Sequence, residues 1–203
     1  YFFFTEIKSF IDGNEQIVDK INEELISIDS DIYFDYEKKR HEGENDSYIC
    51  SLIRSDLVED FISFINRNPT SFSNAIKTSI FETNSFLIKN TPTIIEYTVF
   101  FGAIQIFQYL IMNNAELTPS LWLYAIHSNN PELIHLLESY NVERPDVSYE
   151  LCFAESIKCH HNAIANYIHD NFLITEKSFQ MNNTMYSFIF HHYNYSFFPN
   201  KYI

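Results

Sequence analysis

Residues 98–110, 125–137 and 156–168 align on one another without gaps, at spacings of 27 and 31 residues. Each segment contains the end of one helix, a turn (Gly102, Asn129-Asn130 or His160-His161), and a second helix with apolar residues at helical intervals. One such hairpin cannot bury its own apolar face, so successive hairpins must stack. The expected fold is an all-α solenoid of stacked helix hairpins with atypical terminal helices, whose outer surface is open to partners. In this register Ala125, Leu133, Leu136 and Leu137 are expected in the core.

Helix-start signals recur in the same order. Asp56 with Glu59, Ser79 with Glu82 and Thr93 with Glu96 are spaced as capping boxes. Thr91-Pro92, Thr118-Pro119 and Asn130-Pro131 each place a capping side chain before a proline at the first helical position, and the first two stand 27 residues apart. Helices are expected over 47–54, 57–66, 70–78, 80–89, 92–100, 103–112, 119–128, 131–139, 149–159 and 162–170. Upstream, Ile17, Val18, Ile21, Leu25 and Ile28 mark an amphipathic helix over 15–28, and the charged run 38–46 reads as a linker. The expected organisation is an acidic helical segment over 1–44, a repeat array over 45–174 and a capping segment over 175–203, where residues 184–193 form a last helix.

The middle segment, with Thr118-Pro119, Ala125, Asn129-Asn130-Pro131-Glu132-Leu133-Ile134-His135-Leu136-Leu137 and Asn141-Val142, resembles the ankyrin repeat. Gly102, Gln105-Ile106-Phe107 and Asn114-Ala115 match the same pattern one repeat earlier. The resemblance spans residues 91–171, with a shorter period than the ankyrin norm and Asn in place of most turn glycines. Rich in Tyr, Phe, Ile and Asn, the chain is similar to the divergent ankyrin families of unknown function that parasitic protists carry in many copies. The resemblance implies a non-enzymatic protein-protein interaction module that meets its partner on inner helices and inter-repeat loops. By that implication Asn114, Glu116, Asn141 and Glu143 are the candidate partner-binding loop positions.

Trp122, the single tryptophan, is a further candidate anchor, since tryptophan dominates interface hot spots. Its helix also needs apolar residues at Leu121, Trp122, Ala125 and Ile126, so part of the ring is expected in the core.

Net charge is −14, and the first 60 residues hold sixteen acidic against six basic side chains. Phosphate tracking needs clustered Lys and Arg, and anionic lipid repels such a chain, so neither nucleic acid nor membrane is an expected partner. The apolar run 94–112 approaches the ~20 residues of a bilayer span, yet Gly102, Gln105 and Gln108 interrupt it at the hairpin turn. Three cysteines without framework spacing fit a reducing intracellular compartment, the cytoplasm first. Opening on Tyr1, the chain is expected to belong to a longer protein, which leaves a regulatory or adaptor region as the alternative function and a membrane-associated protein as a weaker one.

One cluster carries metal-ligand chemistry: Cys152, Cys159, His160 and His161. Seven residues separate the cysteines, whereas structural zinc sites favour pairs two to four apart, so the cluster reads as core packing plus a turn. With glycine only at 13, 43 and 102, no phosphate-cradling loop can form. No catalytic residue, metal, cofactor or small-molecule substrate is expected, and the partner is a protein of unspecified identity.

Overall fold

The computed structural model describes residues 16, 19–20, 30–146, 149–173 and 183–197. Of the helix expected over 15–28, only Gln16, Asp19 and Lys20 fall among these, and all three are helical. The described chain is all-helical: α1 (Ser30–Glu42), α2 (Tyr48–Arg54), α3 (Val58–Arg67), α4 (Ser85–Asn90), α5 (Ile94–Phe100), α6 (Ile104–Met112), α7 (Leu121–Ser128), α8 (Pro131–Ser139), α9 (Glu150–Lys158), α10 (Asn162–Ile168) and α11 (Asn183–His191). A π-helical turn, His169–Leu173, continues α10, and a 3₁₀ turn, Tyr195–Phe197, follows α11. No strand forms among the described residues, where Ala75 and Thr93 make one isolated antiparallel bridge. Among the described residues no helix is long and apolar enough to cross a membrane, and the run 94–112 divides into α5 and α6 at Gly102.

The chain divides into two compact units, Tyr1–Ser47 with Lys77–Thr91, and Tyr48–Ile76 with Pro92–Ile203. In the first unit, α1 continues through most of the expected linker, helped by the i,i+4 pair Asp35–Lys39 at 2.8 Å. It stops at Gly43, φ +67°, whose carbonyl accepts from both the amide and the hydroxyl of Thr83. A Cβ at this position would lie 2.8 Å from Thr83 Oγ1, so position 43 needs glycine for space as well as for conformation. Asn45, buried, donates to the Lys77 carbonyl, and Ser79 donates to Asp46. The segment 77–91 thus belongs with α1, where the sequence places it inside the array.

Helices expected over 70–78 and 80–89 reduce to α4 alone. Side chains of Ser71, Thr70 and Ser79 hydrogen-bond Ser73 N, Asn74 Nδ2 and Phe81 N, so local polar contacts replace a helical ladder. Asn84, not Ser79, caps the helix that does form.

In the second unit α2, α5, α7, α9 and α11 pack in succession, each on the next, while α3, α6, α8 and α10 pair with the helices that precede them. Every hairpin corner follows one register. Leu52, Thr98, Ala125, Ser156 and Ile189 are buried; four residues on, Asp56, Gly102, Asn129, His160 and Tyr193 all have φ between 49° and 72°; six residues on, α3, α6, α8, α10 and the 3₁₀ turn begin. At four of the five corners two backbone bonds close a Schellman motif, as in Ala103 N→Thr98 O and Gly102 N→Val99 O. At Asn129 only the inner bond forms, because the Asn130 amide turns to Ser128 Oγ. Ile106, Phe107 and Leu110 are buried at the positions of Leu133, Ile134 and Leu137, and of Ile164, Ala165 and Ile168. Leu136, expected in the core, is half-buried.

The corner register continues to Tyr193, past residue 174 where the sequence pattern fades. Side chains tie neighbouring corners together. His161 Nδ1 donates to Ile126 O at 2.7 Å, and Asn194 Nδ2 donates to Ile157 O at 2.9 Å, the same step one hairpin later.

The capping signals divide into three outcomes. Thr93 and Glu96 form the expected box, and Asn130 caps α8 with Pro131 at its first position. Thr91 instead ends α4 in a left-handed conformation, and α7 starts at Leu121 after a tight turn through Pro119. Asp56 caps nothing of its own: its two carboxylate oxygens accept from Gln105 N and Ile106 N, both at 3.0 Å, at the start of α6. A negative side chain there satisfies two orphan amides and faces the positive helix end.

Two outcomes follow for stability. Leu137→Ala is expected to cost about 2–5 kcal/mol in urea unfolding, as a fully buried leucine deletion does. Asp56→Ala is expected to cost about 0.5–2 kcal/mol, with Asp56→Asn retaining most of the stability because the amide oxygen still accepts.

Candidate functional site

The loop after α8 and the π-helical turn after α10 enclose a groove of about 800 Å³, lined by Trp122, Glu138, Asn141, Val142, Glu143, Arg144, Asp146, Tyr149 and Phe172. Three of the five candidate partner-binding residues meet here. Asn141 and Glu143 stand exposed at its rim, Asn141 held at φ 52° by the Schellman end of α8. Trp122 goes deeper into the core than the partial burial expected of it. It is fully buried, its Nε1 donates to Val142 O at 3.2 Å, and its ring is the groove floor. Asn114 and Glu116 are exposed at the end of α6 and do not line this groove.

An aromatic wall rises from that floor. Tyr149 and Phe172 stack at 4.4 Å and both meet Trp122 edge-on. The guanidinium of Arg144 lies 6.0 Å from the Tyr149 ring centre, so the wall already carries a cation on one face. Three carboxylates oppose this single cation. Glu138 accepts from the Tyr167 hydroxyl at 2.9 Å, and Asp146 Oδ2 accepts from Leu151 N at 2.8 Å. The other oxygen, Oδ1, is buried with no hydrogen-bond partner among the described residues. Burial pushes the Tyr149 phenol up; burial and then the bond to Glu138 push Tyr167 up to about 12.

Sequence inspection missed Glu138, Arg144, Asp146, Tyr149 and Phe172. None stands in a motif, and Phe172 reaches the groove from the π-helical turn that continues α10.

A second cluster sits at the hairpin corners. His127 Nε2 lies 2.8 Å from Glu155 Oε1, and Lys158 Nζ shares the same oxygen at 2.7 Å. Cys159 Sγ is 3.7 Å from His127 Nδ1 and 3.8 Å from Nε2. Near-equal distances leave the sulfur off the bonding direction of either nitrogen, so the pair is not aligned for proton transfer. Burial pushes the thiol up to about 11, so it is protonated at neutral pH and lacks the thiolate character of a nucleophile. Burial alone would raise Glu155, but the bonds from His127 and Lys158 outweigh it and hold the carboxyl down at about 2.

Cys152, Cys159, His160 and His161, read from sequence as core packing plus a turn, do not assemble into one cluster. Cys152 is fully buried, His160 occupies the left-handed corner, and His161 bonds the Ile126 carbonyl. Only Cys159 stays in the assembled set, and His127 enters it from the previous hairpin.

Comparison with protein-family models, with curated proteins and with solved structures finds no match for the chain.

Tyr167 predicts a pH dependence. Its folded-state ionisation lies above the ~10 of an unfolded tyrosine, so its contribution is complete below about pH 10 and is lost as pH rises through about 12. The stability gap between the wild type and Tyr167→Phe should therefore narrow from pH 9 to about 12 in urea titrations. A constant gap would show that the Glu138 bond does not discriminate phenol from phenolate.

Proposed function

We propose that the chain is a non-enzymatic protein-protein interaction module, an ankyrin-like array of stacked helix hairpins that takes a basic segment of its partner into the Trp122–Phe172 groove. The succession α2, α5, α7, α9 and α11 with a common corner register supports the array, because each hairpin covers the apolar face of the one before. The observation that carries the binding assignment is the groove's composition: an aromatic wall, the carboxylates of Glu138, Glu143 and Asp146 against the guanidinium of Arg144, and a buried Asp146 oxygen without a hydrogen-bond partner among the described residues. A lysine ammonium or arginine guanidinium supplies donors for that oxygen and stacks on the wall, as cations do on aromatic faces.

Charge supports the same partner class. At −14 the chain attracts basic segments at long range and repels phosphate backbones and anionic lipid. The protonated, misaligned Cys159 and the absence of a phosphate-cradling glycine loop support a role without catalysis. The cysteine usage supports an intracellular, first of all cytoplasmic, location, and the module serves equally as an adaptor region of a larger protein.

Trp122, the single tryptophan, reports on the groove directly. Titration with a lysine- and arginine-rich peptide should change its fluorescence saturably, with affinity falling as salt rises and at least tenfold in Glu143→Lys. An acid-rich peptide of equal length should leave it unchanged. Equal responses to both peptides, or a response indifferent to Glu143→Lys, would remove the groove as the partner site.

A further inference from the structure

We infer that His127, Glu155 and Cys159 form a zinc site that staples α7 to α9. Among the described residues this is the one group of three or more histidine, cysteine and acidic side chains whose ligand atoms all lie within 4.8 Å of one another. The three donor types are those zinc takes, and three protein ligands leave one tetrahedral position for water. Zinc–sulfur and zinc–nitrogen bonds of the usual lengths place the two donors roughly 3.6 Å apart across a tetrahedral edge, beside the 3.8 Å between Cys159 Sγ and His127 Nε2. The histidine and carboxylate, now at 2.8 Å, have to open to roughly 3.4 Å, the corresponding nitrogen–oxygen edge.

The ligands are held before any ion arrives. Phe100 stacks on the His127 ring at 5.4 Å and 25°, which restricts its rotation. Glu155 and Cys159 are four residues apart at the end of α9, so they project from one face. The His127 and Glu155 side chains are only 14% and 17% exposed, whereas Lys158 is 45% exposed and can leave Glu155 Oε1 for solvent as the ion takes its place. Both polar contacts of Glu155 use Oε1, and Oε2 makes none among the described residues, which leaves an oxygen ready for a metal. Ligation takes the thiol proton: the Cys159 S–H bond breaks, the proton goes to solvent, and the sulfur bonds the ion as thiolate, with no change of oxidation state. The consequence is mechanical. The ion ties the last turn of one first helix to that of the next and fixes the spacing of two hairpins. The inference stands apart from the partner reading, since the site is built from corner residues that do not line the groove.

Cobalt(II) is the probe that tests it. Added to the chelator-treated full chain, it should bind one ion per chain with a near-ultraviolet thiolate-to-cobalt charge-transfer band, and zinc should displace it. Cys159→Ser should abolish the band, Glu155→Gln should keep the band with at least tenfold weaker binding, and Cys152→Ser should leave both unchanged. Zinc should also raise the melting temperature of the wild type and of Cys152→Ser but not that of Cys159→Ser. Failure of the wild-type chain to bind cobalt with one-to-one stoichiometry would overturn the site, and so would a band that persists in Cys159→Ser. The wild-type titration decides the matter even where a variant does not fold.

Discussion

The left-handed corner is the constraint on which the second unit depends. Five first helices end with a residue at positive φ, and the chain then reverses into the next element after the same number of residues. A single residue in this conformation costs roughly 1–2 kcal/mol unless it is glycine. Only Gly102 is glycine; Asp56, Asn129, His160 and Tyr193 adopt the same conformation. The Schellman bonds offset that cost by satisfying carbonyls that a helix end would otherwise leave unpaired. Because every corner turns alike, each hairpin presents its apolar face to its neighbour in the same orientation.

Small residues make the stacking close. Thr98, Ala125 and Ser156 are fully buried at equivalent positions on α5, α7 and α9, three helices that pack on one another in turn. The hydroxyls of Thr98 and Ser156 are satisfied within their own helices, on Ile94 O and Phe153 O, so these side chains are small without leaving a polar atom unpaired. Larger side chains fill the space around them from both helices of a hairpin: Tyr97, Trp122 and Phe153 from the first helices, Ile106, Phe107, Leu133, Ile134 and Leu137 from the second. Hydrogen bonds accepted by Asp56 and donated by His161 and Asn194 then link one hairpin to another, which gives the packing a register that apolar contact alone does not impose.

The two ends of each hairpin carry different chemistry. Corners gather His127, Glu155 and Cys159, short-range donors brought together because equivalent helix ends lie side by side. The opposite loop, after α8, is longer and carries Glu143, Arg144 and Asp146 with an aromatic wall behind them. Surface loops of this kind can change without disturbing the helices packed beneath them.

Much of this fold was legible from residue order. The 98–125–156 register, the all-helical character of the described residues, the Thr93–Glu96 box and the Asn130-Pro131 start all rest on contacts within a few residues, and local contacts leave a mark in local sequence. Asn141 and Glu143 were reachable because they follow a recognisable helix end. What tertiary structure decided involves distance along the chain. Asp56 caps a helix some fifty residues away, residues 77–91 pack with α1, and Tyr193 turns a corner without a turn residue. Sequence makes Trp122 a candidate anchor with part of its ring in the core; its full burial, with Nε1 donating to the Val142 carbonyl, is set by the packed neighbours. His127 meets Cys159 across two hairpins, and Phe172 reaches the groove through a π-helical turn. Periodicity determines which face of a helix is buried; only the packed neighbours determine what that face, and the loops beside it, come to touch.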